Sequence, residues 1–358
     1  MLAVGVEIES PEELRFKQIS FGLRGMRDWL SGGWSQLSPA LQPSSASDYK
    51  YVNVSIQGVT LQFFLEKRPS GGGRYRWTEE TISGVNICAP EAIPINRWHS
   101  EWIDPVRDLM TFANREVAII ERLSGSAEPD SPESVQIFEQ AEAVVRPRTN
   151  FSFYQRDLLP AGIIDTAELI QRWFDLHASI GPSSALFFGT LNSRGLPVEN
   201  RFLNLMAFAE GYHRLLHNEP PLEEDEHRTA RETMIAALPH DERMRRHYRL
   251  ELKYANRQSQ RERMRWLVER AELETWPRSL AAKIVSRCCD TRNWLTHWGE
   301  KGRHVVGDAD LAELTRQLTF VIEANLLDDL LKDDEQVCQC LALGYVWDSP
   351  FWQPNREE

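Results

Sequence analysis

Apolar and polar residues alternate in short runs over the first third of the chain. Along the second half the apolar positions recur every three to four residues. In LRFKQISFGLRG (14–25) the alternation comes in two pieces, Leu14 and Phe16, then Ile19, Phe21 and Leu23. YVNVSIQGVTLQFFLEKR (51–68) alternates through Val52, Val54 and Ile56 and resumes after Gly58 with Val59, Leu61 and Phe63, which predicts two strands around a tight turn. A Ser/Pro/Gly-rich connection at 31–48 precedes this pair. SGGGR (70–74) breaks the chain again, and RYRWTEETISGVNI (74–87) supplies one or two further strands. RDLMTFANREVAIIERLSG (107–125) fits either a helix running into a strand or one amphipathic helix.

SGSAEPDSPES (124–134) has no periodicity and reads as a linker or exposed loop, with a domain boundary between 124 and 155. Beyond it the pattern is helical. IIDTAELIQRWFDLH (163–177) keeps close to a 3.6-residue period. PVENRFLNLMAFAEGYHRLLH (197–217) places Phe202, Leu205, Met206, Ala209 and Tyr212 on one stripe behind Pro197, which suits a first turn. A long basic stretch covers 240–273, and helical patterns resume at 279–298 and 310–331. Four or five substantial helices with connections of varied length predict an irregular bundle. The expected class is α+β, with a β-rich domain at 1–145 followed by an all-α domain at 146–358.

Composition narrows the class of protein. The 358 residues suffice for two cores, and 42% hydrophobic with 26% charged residues is a globular balance. No window approaches the apolar length of a membrane span, so no membrane partner is expected. Five cysteines form neither a disulfide framework nor a zinc site, which points to a reduced, cytoplasmic protein. The net charge of -12 argues against a general nucleic-acid binder. Its distribution is uneven: 240–303 holds 16 Lys/Arg against 9 Asp/Glu, and DDLLKDDE (328–335) turns acidic again.

DTRNWLTHW (290–298) carries the candidate chemistry. Arg292 and His297 stand five apart, about 140° around an ideal helix, whereas Asn293 and His297 share a face and Asp290 nearly aligns with them. Imidazole suits proton transfer to or from RNA oxygens, and guanidinium suits a phosphoryl group whose charge grows in the transition state. Asn293 would orient phosphate or ribose, and Asp290 would fix the imidazole tautomer. Spacing alone favours a surface Arg and a packed His, since 41 Lys/Arg and 9 His supply roughly one such match by chance. A second match, Arg172 to His177, lies within an apolar stripe and reads as structural.

RMRRHYRLELKYANRQSQRERMR (243–265) has nine Lys/Arg, two Glu, and Tyr248 and Tyr254 for base stacking. It admits three readings: a solvated face, an RNA-guiding surface through Arg245, Arg246, Arg249, Lys253, Arg257 and Arg261, or a contact to an acidic partner. His213 and His217 are four apart but show no third metal ligand. YVWDSPFW (345–352) reads as an aromatic tail docked on the bundle.

RNWLTH, late in a helical region between SLAAKIVSRCCDT and an amphipathic helix, resembles the Arg-x4-His motif of HEPN ribonucleases. SPEELRFKQISFGLRGMRDWLSG (10–32) and LNLMAFAEGYHRLLH (203–217) resemble stretches of ApeA-type anti-phage proteins, which place a β-rich domain before a HEPN-like domain. The resemblance covers most of the chain. It implies an all-α HEPN-like bundle and a metal-independent, cofactor-free endoribonuclease acting on RNA, tRNA or other cellular RNA, in abortive infection. It implies a homodimer or higher homo-oligomer whose two Arg-x4-His motifs line one cleft, which answers the angular mismatch. Arg292 and His297 would be catalytic and Asn293 supporting, with a phage-derived trigger sensed by the β-rich part. Relatives carry additional N-terminal β-structure, so a shorter variant or a late start is expected here. The competing readings are a non-catalytic HEPN sensor or assembly protein, and an RNA-binding adaptor.

Overall fold

The computed structural model describes residues 2–4, 13–30, 49–70, 78–129, 134–138, 158–193, 195–271, 278–298 and 300–345. The N-terminal part is an antiparallel sheet of seven strands among these residues: β1 (Leu2–Val4), β2 (Arg15–Leu23), β3 (Tyr49–Ile56), β4 (Val59–Ser70), β5 (Thr78–Pro94), β6 (Ile120–Ser126) and β7 (Val135–Phe138). Their order is β1-β7-β6-β2-β5-β4-β3.

The broken alternation at 14–25 has a structural cause. The register of β2 against β5 shifts between Phe16 and Gln18, and this bulge returns Ile19, Phe21 and Leu23 to the buried side with Phe16. The β3–β4 hairpin turns at Gln57 and Gly58, whose φ values of 51° and 82° meet the positive-φ demand of a two-residue connection. The ambiguous 107–125 segment is a helix followed by a strand. A helical turn at Ile95–Trp98 and a π-helical segment at His99–Ile103 lead into α1 (Asp104–Asn114). Arg115, in the left-handed region, ends α1 before β6. The segment expected as a linker differs: β6 runs to Ser126 and pairs with β7, so 124–134 largely connects two strands of one sheet. The expected boundary at 145/146 lies outside the described residues.

Nine helices follow among the described residues: α2 (Thr166–Ile180), α3 (Ser184–Asn192), α4 (Val198–Leu216), α5 (Glu224–Ala237), α6 (Glu242–Lys253), α7 (Gln260–Arg270), α8 (Arg278–His297), α9 (Asp308–Leu331) and α10 (Asp334–Tyr345). The basic stretch is therefore two helices. The chain leaves α6 at Tyr254, and Ser259 with Glu262 forms a capping box that starts α7. α9 is apolar on most of its circumference and packs against α2, α4, α7, α8 and α10, as a central helix must. Among the described residues no helix is long and apolar enough to cross a membrane.

One buried cluster runs from the sheet into the bundle. Three fully buried tryptophans tie the layers, each donating its indole N–H to a backbone carbonyl: Trp98 to Phe16 (3.1 Å), Trp29 to Leu159 (2.8 Å) and Trp173 to Pro105 (2.8 Å). Arg115 adds a polar clasp. It donates to the Gly344 carbonyl (2.8 Å), lies 3.6 Å from the carboxylate of buried Glu323 on α9, and stacks 4.1 Å over the Tyr345 ring. Tyr345 also donates its hydroxyl proton to Glu323. The aromatic tail beyond Tyr345 lies outside the described residues.

Candidate active site

α8 is amphipathic. Ile284, Val285, Cys288, Cys289, Thr291 and Leu295 are buried, and Trp294 packs partly against the core. Burial pushes the Cys288 thiol far up and that of Cys289 up to about 11, as expected of packing residues and not of nucleophiles. Buried Thr291 accepts from the Val306 N–H (3.1 Å) and fastens the following loop to α8.

The opposite face carries the candidate chemistry. Arg292 is half-buried, and Asn293, Thr296 and His297 are exposed. The Arg292 guanidinium donates to Asn293 Oδ1 (3.3 Å), and among the described residues no carboxylate pairs with it. Thr296 returns its hydroxyl to the Arg292 carbonyl (2.8 Å). The helix ends with the motif at His297, and Trp298 donates its N–H to the Trp294 carbonyl (2.9 Å). Trp298, rather than a glycine, takes the left-handed conformation, at φ 50° with 76% of its surface exposed.

Asp290 is placed elsewhere than expected. Its carboxylate binds Arg261 of α7 at 2.5 Å, and the same guanidinium reaches Ser286 Oγ (3.4 Å). Helical rise explains this: residues seven apart align in angle but sit about 10 Å apart along the axis, beyond hydrogen-bonding reach. Asp290 thus positions α8 against α7 and does not orient His297 in the same chain.

The six basic candidates also separate. Arg261 is spent on Asp290, and Arg245 donates to the Leu238 and Pro239 carbonyls (2.9 and 3.0 Å) after α5. Arg249 makes one exposed bond to Glu242 (3.2 Å). Arg246 and Lys253 are exposed without a carboxylate partner among the described residues, and Arg257 stacks 4.5 Å over the Tyr254 ring. Arg243, absent from the candidates, joins Arg246 on the exposed side of α6. Helical angle alone would have included it.

The other Arg-x4-His pair is structural. Arg172 donates to the Leu330 and Leu331 carbonyls (3.2 and 2.7 Å) at the end of α9, and His177 Nε2 lies 3.1 Å from Asp108 Oδ2. His213 and His217 belong to a polar network between α4, α7 and α9. His213 Nδ1 faces Arg263 (3.3 Å), whose positive charge disfavours a cation there. His217 Nε2 lies 3.0 Å from Asp329, which also binds Arg270 and accepts from Tyr212. Sequence spacing missed this network because Asp329 is more than 100 residues from its histidine.

A family model described as Apea-like HEPN matches residues 203–336, from α4 to the first turn of α10 and including all of α8. No curated protein and no solved structure matches the chain. HEPN domains are generally of nuclease or RNase type and serve defence. The C-terminal region of this chain, with Arg292, Asn293 and His297 on its α8, is thus similar to Apea-like HEPN domains over residues 203–336.

Proposed function

We propose that the chain is a metal-independent endoribonuclease effector of anti-phage defence. The observation that carries this reading is the outer stripe of α8: Arg292, Asn293 and His297 reach solvent within the HEPN domain, and no carboxylate among the described residues neutralises the guanidinium. In the reaction a ribose 2′-OH attacks the adjacent phosphorus. The bond from phosphorus to the 5′ oxygen breaks, leaving a 2′,3′-cyclic phosphate and a 5′-OH. The His297 imidazole takes the 2′-OH proton or supplies one to the leaving oxygen. Arg292 offsets charge on the non-bridging oxygens, and Asn293 holds the guanidinium and a phosphate or ribose oxygen. Asp290 acts through its bond to Arg261 by holding α8 in place.

Arg292 and His297 diverge by about 140° on one helix. The working site is therefore built by two copies, each lending its α8 to one cleft. The exposed Trp298 beside His297 suits burial against a second copy. In this reading 1–145 is a sensing or restraining module for a phage-derived trigger, attached to the nuclease at 146–358 in the cytoplasm.

The test compares wild type, Arg292→Ala and His297→Ala on total cellular RNA, with and without phage infection and with EDTA in one arm. EDTA-resistant products lost in both variants support the reading. Cutting that needs a divalent ion and survives both substitutions sinks it.

A further inference from the structure

The α5–α6 hairpin projects from the domain with little of its own surface covered. α6 has no buried residue, and α5 buries only His227. Yet the hairpin is held firmly. Asp241 caps α6 through the Arg243 and Met244 N–H groups (2.9 and 3.1 Å). Arg245 seizes the carbonyls after α5. At the base Asn256 accepts from the Leu222 N–H (2.9 Å) and donates to the Leu222 carbonyl (2.8 Å). A rigidly aimed helix with a bare outer face is suited to recognition.

That face is mainly cationic, with exposed Leu250 its one apolar side chain. Arg243, Arg246, Arg249 and Lys253 fall within an arc of about 120°, close to one cation per turn over about 15 Å. Its one acidic member is Glu242, whose exposed bond to Arg249 is too solvated to count for much. In a chain of net charge -12 such a stripe complements a polyanion. At its end Tyr254 is half exposed with the Arg257 guanidinium 4.5 Å from its ring centroid, a combination on which an unpaired base stacks. Eight residues past Lys253, Arg261 docks on α8 at Asp290, half a turn before Arg292. The stripe thus leads toward the candidate active site.

We propose that the outer face of α6, ending at Tyr254 and Arg257, is a docking track for single-stranded RNA that delivers the strand to α8. The inference rests on the RNase reading for its substrate, but it concerns a separate surface and fails separately.

The experiment uses the full chain with His297→Ala, so that RNA stays intact, and a fluorescein-labelled oligouridylate of about 20 nucleotides. Anisotropy is followed between about 50 and 200 mM salt. Combining Arg243→Ala, Arg246→Ala, Arg249→Ala and Lys253→Ala should weaken binding about tenfold or more. It should also flatten the log–log salt slope by about 3, each single-strand phosphate contact contributing about 0.7. Tyr254→Ala should cost about fivefold or more with the slope unchanged. Arg228→Ala with Arg231→Ala, on α5, should change neither. No binding by the His297→Ala parent, an unchanged affinity and slope in the fourfold variant, or a preference for duplex RNA each overturn the track. So does a fourfold variant that loses only self-association, which makes the face an interface between copies. RNA held through α6 by a chain that never cleaves would sink the RNase reading and leave the track standing. Cleavage by wild type with unaltered binding by the fourfold variant does the reverse.

Discussion

Arg261 of α7 closes on Asp290 of α8 at 2.5 Å, and this ion pair fixes the helix that presents Arg292 and His297. Both side chains are partly exposed, so a double-mutant cycle in urea should return about 1 kcal/mol or less of coupling. Asp290→Ala should lower the rate of RNA cleavage less than tenfold, as a positioning residue about 10 Å along the helix from His297 would. His297→Ala should cost about 10²- to 10⁴-fold. Equal losses in initial rate would return Asp290 to the chemistry.

Two Arg-x4-His pairs separate stability from activity. Arg172 satisfies two terminal carbonyls of α9, so Arg172→Ala should destabilise by about 1–3 kcal/mol while the folded protein keeps its specific activity. Arg292→Ala and His297→Ala, on a solvent-facing stripe, should stay within about 0.5 kcal/mol of wild type and lose cleavage. Thermal melts beside rate measurements decide between these patterns.

Trp298 carries a bulky side chain at φ 50°, where glycine is easier by about 1 kcal/mol. Trp298→Gly should therefore raise stability by about that much and weaken self-association by about tenfold or more, as loss of an interfacial tryptophan does. Sedimentation equilibrium of both proteins tests it; an unchanged dissociation constant, or no self-association by wild type, would exclude Trp298 from a contact between copies.

The His213 ring is fully buried beside Arg263. Burial, then the charges of Arg263 and His217, lower its pKa from 6.5 to about 4. The folded state holds it neutral while the unfolded chain takes up a proton below about pH 6.5. Its contribution is thus complete above that pH and lost as pH falls toward about 4, up to about 3 kcal/mol in all. Asp329, held below its usual range by His217, Arg270 and Tyr212 against its own burial, acts in the same direction at still lower pH. Urea midpoints from neutral to mildly acidic pH should fall for wild type, and His213→Asn should flatten the trend.

The strands with clean alternation, the hairpin at Gly58 and the four strongly periodic helices were legible because each depends on near neighbours. α5 was not anticipated, since it hides only His227 and so leaves no apolar stripe to read. The extension of the sheet through β7 was obscured by a polar connection that resembles a linker. At the site, Arg292, Asn293 and His297 followed from a motif, but the removal of Arg261 and Asp290 from the candidates required α7 beside α8. Angle along a helix is readable from spacing; which neighbouring helix claims a charge is not.

The clasp of Arg115 on Glu323 and Tyr345, with the Trp29 and Trp173 bonds, joins the sheet to the bundle, so the two should unfold as one cooperative unit. Calorimetry should record a single transition whose calorimetric and van't Hoff enthalpies agree. Removing Arg115 should lower that transition by the equivalent of about 3 kcal/mol at neutral pH, and by less in acid, where burial readily protonates Glu323. Cutting the chain at 145/146 would uncover Trp29 on one fragment and Trp173 on the other. Each piece would then expose a greasy scar, so severing the N-terminal part should yield aggregation rather than a soluble C-terminal fragment.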